Sequence, residues 1–371
     1  MSAAISDRAH LSKRSIINHD IMNCTVEDVV GKHLYSGRAL GLSEPWDVIQ
    51  LHPELEPLFP QIADHYRRVG LPFTEDVIWD IQRSHLGSRI GFEPDVFFFG
   101  PHENSYWGNG RWMEAVEYIN SKNRFMQLAR ELGVDVPWTQ CYDSPFDISD
   151  REIECFMYPC YLKAAVSESG AGIHRCTSPT ELREALKSFS SATAVQVQEE
   201  LIAETFLNLQ YTVINGRPYR MAASEQILDG FSHQGNRVPV RYQPWQTVDI
   251  MADWLVKAGM RGIFAFDIAV VQTNNGLRFP AIECNPRYNG ASYPTLIANK
   301  LGIRQWCSLT MNTRHRDIAS IDLSGIEFDP KAGTGVIIIN WGTVLAGSLM
   351  VLVAGQDDEQ IVLTMALQER L

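Results

Sequence analysis

An α/β start followed by α+β lobes is the fold class this sequence predicts, and three observations carry it. The 371 residues are 45% hydrophobic and 20% charged, the balance of a folded protein able to bury more than one core. Near the beginning, short apolar runs of strand type alternate with a stretch of helical periodicity. Further on, strand-like runs are joined by Asn-Gly turns, with helices between them and no regular βαβ repeat. The length suits two to three domains at ~100–200 residues each. A collagen, a coiled-coil rod and a wholly disordered chain are excluded.

In residues 1–115 the strand runs are Ser15-Ile16-Ile17, Asp47-Val48-Ile49-Gln50-Leu51 and Asp95-Val96-Phe97-Phe98-Phe99, and Leu55 to Val69 has helical spacing. A cleaner helix is expected from Ser121 to Leu132. Asn120 or Ser121 caps its start, Phe125, Leu128, Ala129 and Leu132 share a face, and Gly133 stops it. Cys160 to Val166 reads as a strand, followed by the small, flexible run Ser167-Glu168-Ser169-Gly170-Ala171-Gly172. Ser178-Pro179 opens another helix, with a serine cap, proline at the first position and Glu181 in the first turn. Ala194 to Gln198 and Asn208 to Ile214 are strands. Asn215-Gly216 tolerates positive φ and turns the chain into a return strand, Tyr219 to Ala223. A helix over Thr247 to Ala258 precedes two long strands, Gly262 to Gln272 and Leu277 to Cys284, joined at Asn274-Asn275-Gly276. A helix near Pro294 to Lys300 follows. Gly333 to Gly355 is the most apolar segment, but Asn340-Trp341-Gly342 interrupts it and Val and Ile dominate it. A membrane helix needs ~20 unbroken apolar residues, so this segment reads as buried strands joined by a turn.

Lys and Arg number 32 against 44 Asp and Glu, a net charge of −12. An acidic chain repels a phosphate backbone, so neither nucleic acid nor a membrane is expected as a partner, although a local basic patch would still take a small phosphate ligand. The cysteines, Cys24, Cys141, Cys155, Cys160, Cys176, Cys284 and Cys307, are odd in number and scattered, with no C-x-x-C. That argues against a disulfide scaffold or a zinc ribbon and points to a reducing cytoplasm. The opening MSAAISDRAHLSKR has no apolar core behind its basic residues, so no signal peptide is expected.

The most informative stretch is Phe264-Ala265-Phe266-Asp267 followed by Ala281-Ile282-Glu283-Cys284-Asn285-Pro286-Arg287. A carboxylate inside an apolar strand is costly unless paired or bound to a cation. A hairpin would bring Asp267, Glu283 and Asn285 to one point, and two carboxylates with an amide oxygen suit Mg²⁺ bridging phosphate oxygens. Lys163 with the Gly-rich run after it is a second feature, because such loops let backbone N–H groups approach phosphate. It is neither a Walker A loop nor G-x-G-x-x-G. Glu225-Gln226, on the return strand, is a candidate to face the site, and His233, in the loop from Gly230 to Gly235, reads as a solvated loop histidine, with contact to substrate the alternative.

In order, Ser121-Lys122, Lys163 with its glycine loop, Gln198-Glu199-Glu200-Leu201-Ile202, Asp267 and Glu283-Cys284-Asn285-Pro286-Arg287 resemble the ATP-grasp ligase superfamily across residues 116–310. The Glu-x-Asn-Pro-Arg motif and the two lysines are its specific parts. The resemblance implies an ATP-grasp fold: a pre-ATP-grasp α/β domain over 1–115, an ATP-grasp domain over 116–310 with the nucleotide between its two lobes, and a short β-rich lobe over 311–371. The layout is similar to the pheganomycin-type peptide ligases. Ala265 stands where D-Ala–D-Ala ligases have an arginine two residues before the metal Asp, which sets that identity aside. Arg287 is closer to the biotin carboxylase and peptide ligase pattern, but a biotin carboxylase would be longer and would carry a Gly-rich start.

By the same resemblance, Lys122 and Lys163 would contact the nucleotide phosphates, and Ser169, Gly170 and Gly172 would form the lid over them. Glu199, Glu200, Leu201 and Ile202 would line the adenine and ribose pocket, with Glu204 a candidate ribose acid. Asp267 and Glu283 would hold one Mg²⁺, Glu283 and Asn285 a second. Arg287 would neutralise the transferred phosphoryl group or the developing oxyanion, since phosphoryl transfer needs positioning and charge neutralisation. The implied activity is ATP-dependent, ADP-forming carboxylate–amine ligation through an acyl phosphate. Its substrates would be amino acids or short peptides, and its setting the making of a small peptide natural product, with a homodimer open. The alternatives are an ATP-grasp enzyme with a non-amine acceptor, carboxylase-like or kinase-like, and a nucleotide-binding protein without turnover.

Overall fold

The computed structural model describes residues 14–25, 29–167, 172–230 and 232–371. The lid residues Ser169 and Gly170 lie outside the described residues. The chain divides into two compact units, one formed by the residues up to Gly110 with Gly290–Leu371, the other by Arg111–Asn289.

The first unit opens on a parallel sheet of β1 (Arg14–Asn18), β2 (Val48–Gln50), β3 (Val77–Ile78) and β4 (Phe92–Val96), in the order β3-β2-β1-β4. Ile16, Ile17 and Ile49 are buried, as the apolar runs require. The last strand begins three residues earlier than the run Asp95–Phe99 suggests. Its register against β1, from Arg14↔Phe92 to Asn18↔Val96, fixes its extent, and Phe97 and Phe99 are buried beyond its end. The helical stretch Leu55–Val69 is split into a 3₁₀ turn, Pro53–Leu58, and helix α1, Phe59–Arg68. Pro57 and Pro60 lack N–H groups, so one continuous α-helical ladder cannot run through them. Helix α2 (Pro101–Trp107) follows.

The second unit begins with α3 (Gly110–Asn120) and α4 (Lys122–Glu131). The Ser121 hydroxyl caps α4 by accepting from the Arg124 N–H, and Gly133 beyond it has φ 71°. An antiparallel sheet of β5 (Thr139–Tyr142), β6 (Cys160–Ala164), β7 (Ile173–Cys176) and β8 (Val195–Glu199) runs in the order β5-β8-β6-β7. Leu162, Val195 and Val197 pack on one face against Ile153 of α5 (Asp150–Cys155) and Leu182 of α6 (Pro179–Leu186). Alternation leaves Tyr161, Lys163, Gln196 and Gln198 for the opposite face.

A second antiparallel sheet holds β9 (Thr205–Ile214), β10 (Arg217–Asp229), β11 (Ser232–Val238), β12 (Ile263–Thr273), β13 (Gly276–Arg278) and β14 (Ala281–Asn285), with α7 (Asp249–Ala258) between β11 and β12. Asn215 and Gly216 both have positive φ, 51° and 72°, in the β9–β10 turn. The expected strand Leu277–Cys284 is broken into β13 and β14. Pro280 has no N–H for the ladder, and the Ala281 N–H donates to Asp135 O at 2.8 Å instead. Phe264 of β12 stacks on Tyr211 of β9, 5.4 Å between centroids at 7°, and fixes the two strands against each other.

The chain then returns to the first unit as α8 (Ser292–Leu301), β15 (Trp306–Asn312), β16 (Gly335–Asn340), β17 (Ser348–Ala354) and α9 (Asp357–Gln368). β17 pairs antiparallel with β15 on one side and β16 on the other. The apolar segment Gly333–Gly355 is thus two buried strands, joined through Trp341 and a 3₁₀ turn, Gly342–Ala346. Among the described residues, no helix is long and apolar enough to cross a membrane.

Candidate functional site

Four strand positions of the second unit converge on Asp267. It sits mid-strand on β12, directly opposite Glu283 of β14 on one side and Asn208 of β9 on the other. Its Oδ1 accepts from Asn208 Nδ2 at 2.7 Å and Gln226 Nε2 at 2.8 Å, and its Oδ2 from Asn285 Nδ2 at 3.0 Å. Asn285 Oδ1 in turn accepts from Arg287 Nη1 at 2.9 Å. Glu283 Oε2 lies 3.1 Å from Lys122 Nζ.

The two lysines are held by backbone geometry. The Lys122 N–H, at the first turn of α4, donates to Ala165 O at 2.6 Å, just past the strand that carries Lys163. Lys163 Nζ donates to Gln198 Oε1 at 2.6 Å, and Gln198 passes the contact on to Thr139 Oγ1 at 3.0 Å. The structure therefore brings Lys122, Lys163, Asp267, Glu283, Asn285 and Arg287 into one charge cluster.

Burial and charge act in opposite directions within it. Burial pushes the Asp267 carboxyl up to about 7, the Glu283 charge adds to this, and the amide donors oppose it. Burial also disfavours the Glu283 carboxylate, but Lys122 and Lys163 outweigh it and hold that carboxyl below the ordinary glutamate range. Burial lowers Lys163 to about 8, with Glu283 working against it.

The donor set fits Mg²⁺. Like charges directly opposite on paired strands repel, and a cation relieves this. Asp267 and Glu283 supply hard carboxylate oxygens, and the Asn285 amide oxygen, turned toward Arg287 here, would join them by rotation of the amide. Among the described residues no group of three or more His, Cys, Asp and Glu side chains could hold a metal ion. A pair of carboxylates suits a cation whose shell is completed by phosphate oxygens and water.

The remaining expected residues stand apart from this network. Glu199 ends β8, and its Oε1 accepts from the Trp138 N–H at 2.8 Å. Glu200 is held bidentately by Arg175 Nε and Nη2, at 2.7 and 2.8 Å, and by the Tyr161 hydroxyl at 2.6 Å. Leu201 is half-buried and Ile202 is 90% exposed. Glu204 meets Arg241 at 3.5 Å. Gly172 has φ 69°, and its carbonyl accepts from the Ala164 N–H at 3.1 Å. Gln226 does face Asp267, while Glu225 Oε1 lies 3.6 Å from Nε of the exposed Arg237 on β11. His233 bonds within its own strand, to Asn236 at 2.7 Å. Asn208 was not among the expected residues. Its signal was a polar residue in the apolar run Asn208–Ile214, and it is 3% exposed.

No family model matches this sequence, and no curated protein matches it at a significant level. Solved structures do. N5-carboxyaminoimidazole synthetase from Staphylococcus aureus complexed with ADP is 14% identical at a TM-score of 0.62, covering 96% of this chain and 96% of that one. An ADP complex of N5-carboxyaminoimidazole ribonucleotide synthetase is 12% identical at 0.63, again covering 96% of each chain. Phosphoribosylamine–glycine ligase from Thermotoga maritima is 12% identical at 0.61, with 96% of each covered. The chain has the ATP-grasp fold that these structures share.

Proposed function

We propose that the protein is an ATP-dependent, ADP-forming ligase that joins a carboxylate to an amine. One observation carries this reading: Asp267 and Glu283 face each other across β12 and β14 with Lys122 3.1 Å from Glu283 and Asn285 bonded to Asp267. Such a cluster has little use except around a polyanion and its counter-cation. Lys122 and Lys163 neutralise nucleotide phosphates. Asp267, Glu283 and Asn285 hold Mg²⁺, as one or two ions; when bound, it draws charge from the phosphate oxygens. The Asn208 and Gln226 amides hold the Asp267 carboxylate in place. Gly172 and the run before it, with Ser169 and Gly170, cover the phosphates, and Glu199 to Ile202 border the adenine and ribose.

The chemistry then follows from the charges. The substrate carboxylate attacks the γ-phosphorus of ATP, the bond to the ADP oxygen breaks, and an acyl phosphate results. Arg287, oriented by Asn285, stabilises charge on the transferred group and on the oxyanion when the amine attacks. Phosphate leaves and an amide forms. Amino acids or short peptides are the proposed substrates, and a small peptide natural product the proposed outcome, in keeping with the likeness of the layout to pheganomycin-type peptide ligases. The Thermotoga maritima neighbour is named for ligation of phosphoribosylamine and glycine, an amine and an amino acid.

A second reading is carboxylase-like, with bicarbonate as the acid. It is favoured by the two similar structures named for N5-carboxyaminoimidazole products. A screen of amino-acid pairs and bicarbonate for ADP release, with product mass, separates the two. Amine-dependent ADP release with a condensed mass supports the ligase. Release that needs only bicarbonate and one amine supports the carboxylase. Release with an alcohol and no acid contradicts both.

A further inference from the structure

The parallel sheet of the first unit changes direction between β1 and β4. The chain builds β2 and β3 to one side of β1, then places β4 on the other. In open parallel sheets the crevice beyond the carboxyl ends of two such strands is where ligands sit. Here His19 follows β1, while Asp95 near the end of β4 and Phe97 just beyond it flank the same point.

Arg38 occupies that point. Its Cζ lies 4.4 Å from the Tyr293 ring centroid, 4.5 Å from Phe97 and 5.1 Å from Tyr35. The side chain is 8% exposed, and neither Nε nor Nη2 has a hydrogen-bond partner among the described residues. Nε and Nη2 form one edge of the guanidinium. Elsewhere in this chain that edge takes a carboxylate: Arg175 holds Glu200 with it, Arg278 holds Asp135, and Arg68 holds Glu327. At Arg38 no described residue takes that edge.

Three acids of the first unit already have partners. Asp20 and Glu103 both bind Arg83. Asp95 Oδ1 is 3.3 Å from His19 Nε2, and His19 Nδ1 is 2.9 Å from the Tyr293 hydroxyl. With Asp95 accepting, Nε2 carries the hydrogen and Nδ1 accepts from Tyr293, so His19 is neutral and adds no charge. A buried guanidinium edge without an acceptor is costly and rare in folded proteins.

We propose that the Arg38 fork is a carboxylate-binding subsite of the first unit, which takes the carboxylate of a small organic acid side-on between the rings of Phe97 and Tyr293. Of the three rings, Tyr35 alone is not buried. A planar carboxylate matches the fork with two parallel hydrogen bonds. This inference goes beyond the ligase reading and does not rest on it.

The test is calorimetric titration of the full chain with sodium acetate, at constant ionic strength and without nucleotide. Wild type should bind, and Arg38→Met should bind about tenfold more weakly or not at all, the loss expected for charge-assisted hydrogen bonds. Arg38→Lys, which keeps the charge but not the fork, should fall between them. In chloride alone Arg38→Met should unfold at the wild-type temperature or above it, because it removes a buried charge with unmade bonds. Equal acetate binding by wild type and Arg38→Met, or binding by neither, overturns the proposal. So does binding of inorganic phosphate where acetate fails. If Arg38→Met does not fold, equal binding by Arg38→Lys and wild type has the same force. Turnover enters none of these measurements, so their failure would leave the ligase reading standing.

Discussion

Asp267 and Glu283 stand directly opposite each other on antiparallel strands, yet their surroundings drive them apart in charge. Burial and the neighbouring carboxylate push Asp267 toward its neutral form, while Lys122 and Lys163 keep Glu283 ionised. The difference lies in their partners. Asp267 is surrounded by the neutral amides of Asn208, Gln226 and Asn285, and Glu283 has an ammonium at 3.1 Å. The pair is therefore short of positive charge on the Asp267 side.

Removing either carboxylate should stop turnover and spare the fold. Asp267→Asn and Glu283→Gln keep the shape but take one negative charge from the proposed cation site. Each should lower turnover by at least about 10²-fold, the scale of losing one transition-state stabiliser. Asp267→Asn gives up a charge that burial already disfavours, so its unfolding temperature should stay within about 4 °C of wild type. Near-normal turnover of both variants at ordinary Mg²⁺ would remove the pair from the site.

Lys163 should report on nucleotide binding by charge before shape. Lys163→Ala is expected to weaken ATP binding by about tenfold or more, and Lys163→Arg by less. The Arg variant must still fit beside Gln198, which accepts from Nζ at 2.6 Å, so partial recovery is the expected result. Fluorescence or calorimetric titration with a non-hydrolysable ATP analogue gives the order directly. Equal affinity in all three proteins would contradict the assignment.

Acid should destabilise the first unit through His65. Its Nε2 accepts from the Ile338 N–H at 3.0 Å, so Nδ1 carries the hydrogen and donates to Glu327 Oε1 at 2.7 Å. Protonating Nε2 would set it against the Ile338 N–H, and burial lowers the His65 value below 6.5. The unfolded chain thus takes up a proton near 6.5 that the folded chain refuses. Stability from this group is full above that pH and falls as pH drops below it, by up to about 1.4 kcal/mol per pH unit. Glu327 adds to the trend at lower pH. Burial opposes its ionisation, but His65 and Arg68 hold it down to about 2, so its contribution is present above the ordinary glutamate value and lost as pH falls toward 2. Urea unfolding between pH 7 and 5 should show a flatter pH dependence for His65→Gln than for wild type. Parallel curves would contradict the reading.

How much of this was legible in the sequence depended on sequence distance. Asp267 and the Glu283–Arg287 motif lie on neighbouring strands with a turn signal between them, so their meeting could be read directly. Pro280 breaks the second of these strands, because it has no N–H for the ladder, and the turn signal ahead of it draws the eye to the hairpin instead. Gln226, on the return strand, was legible as a candidate and does donate to Asp267, whereas Asn208 reaches it only through the β9–β12 pairing, and nothing local marks it beyond a polar side chain in an apolar run. Glu200 looked available to a ribose, but Arg175 on a different strand holds it. Arg38, Phe97 and Tyr293 come from distant parts of the chain, and no spacing rule joins them. Three successive phenylalanines, Phe97 to Phe99, look like a strand core, whereas pairing with β1 ends at Val96.

The central claim, that an acyl phosphate forms and an amine takes it, is tested most directly by trapping it. Hydroxylamine should intercept the activated acid and give a hydroxamate, with ADP release that requires ATP, Mg²⁺ and the acid. Arg287→Ala should lower hydroxamate yield and ADP release by about 10²-fold while leaving ATP affinity nearly unchanged, because Arg287 is assigned to the reacting group. A panel of amino acids and short peptides with bicarbonate, in wild type and Arg287→Ala, contains the whole test. The account predicts hydroxamate and ADP in equal amounts with at least one acid of the panel. ADP release with an alcohol and no acid, or ATP binding with no acid-dependent ADP release anywhere in the panel, would contradict it.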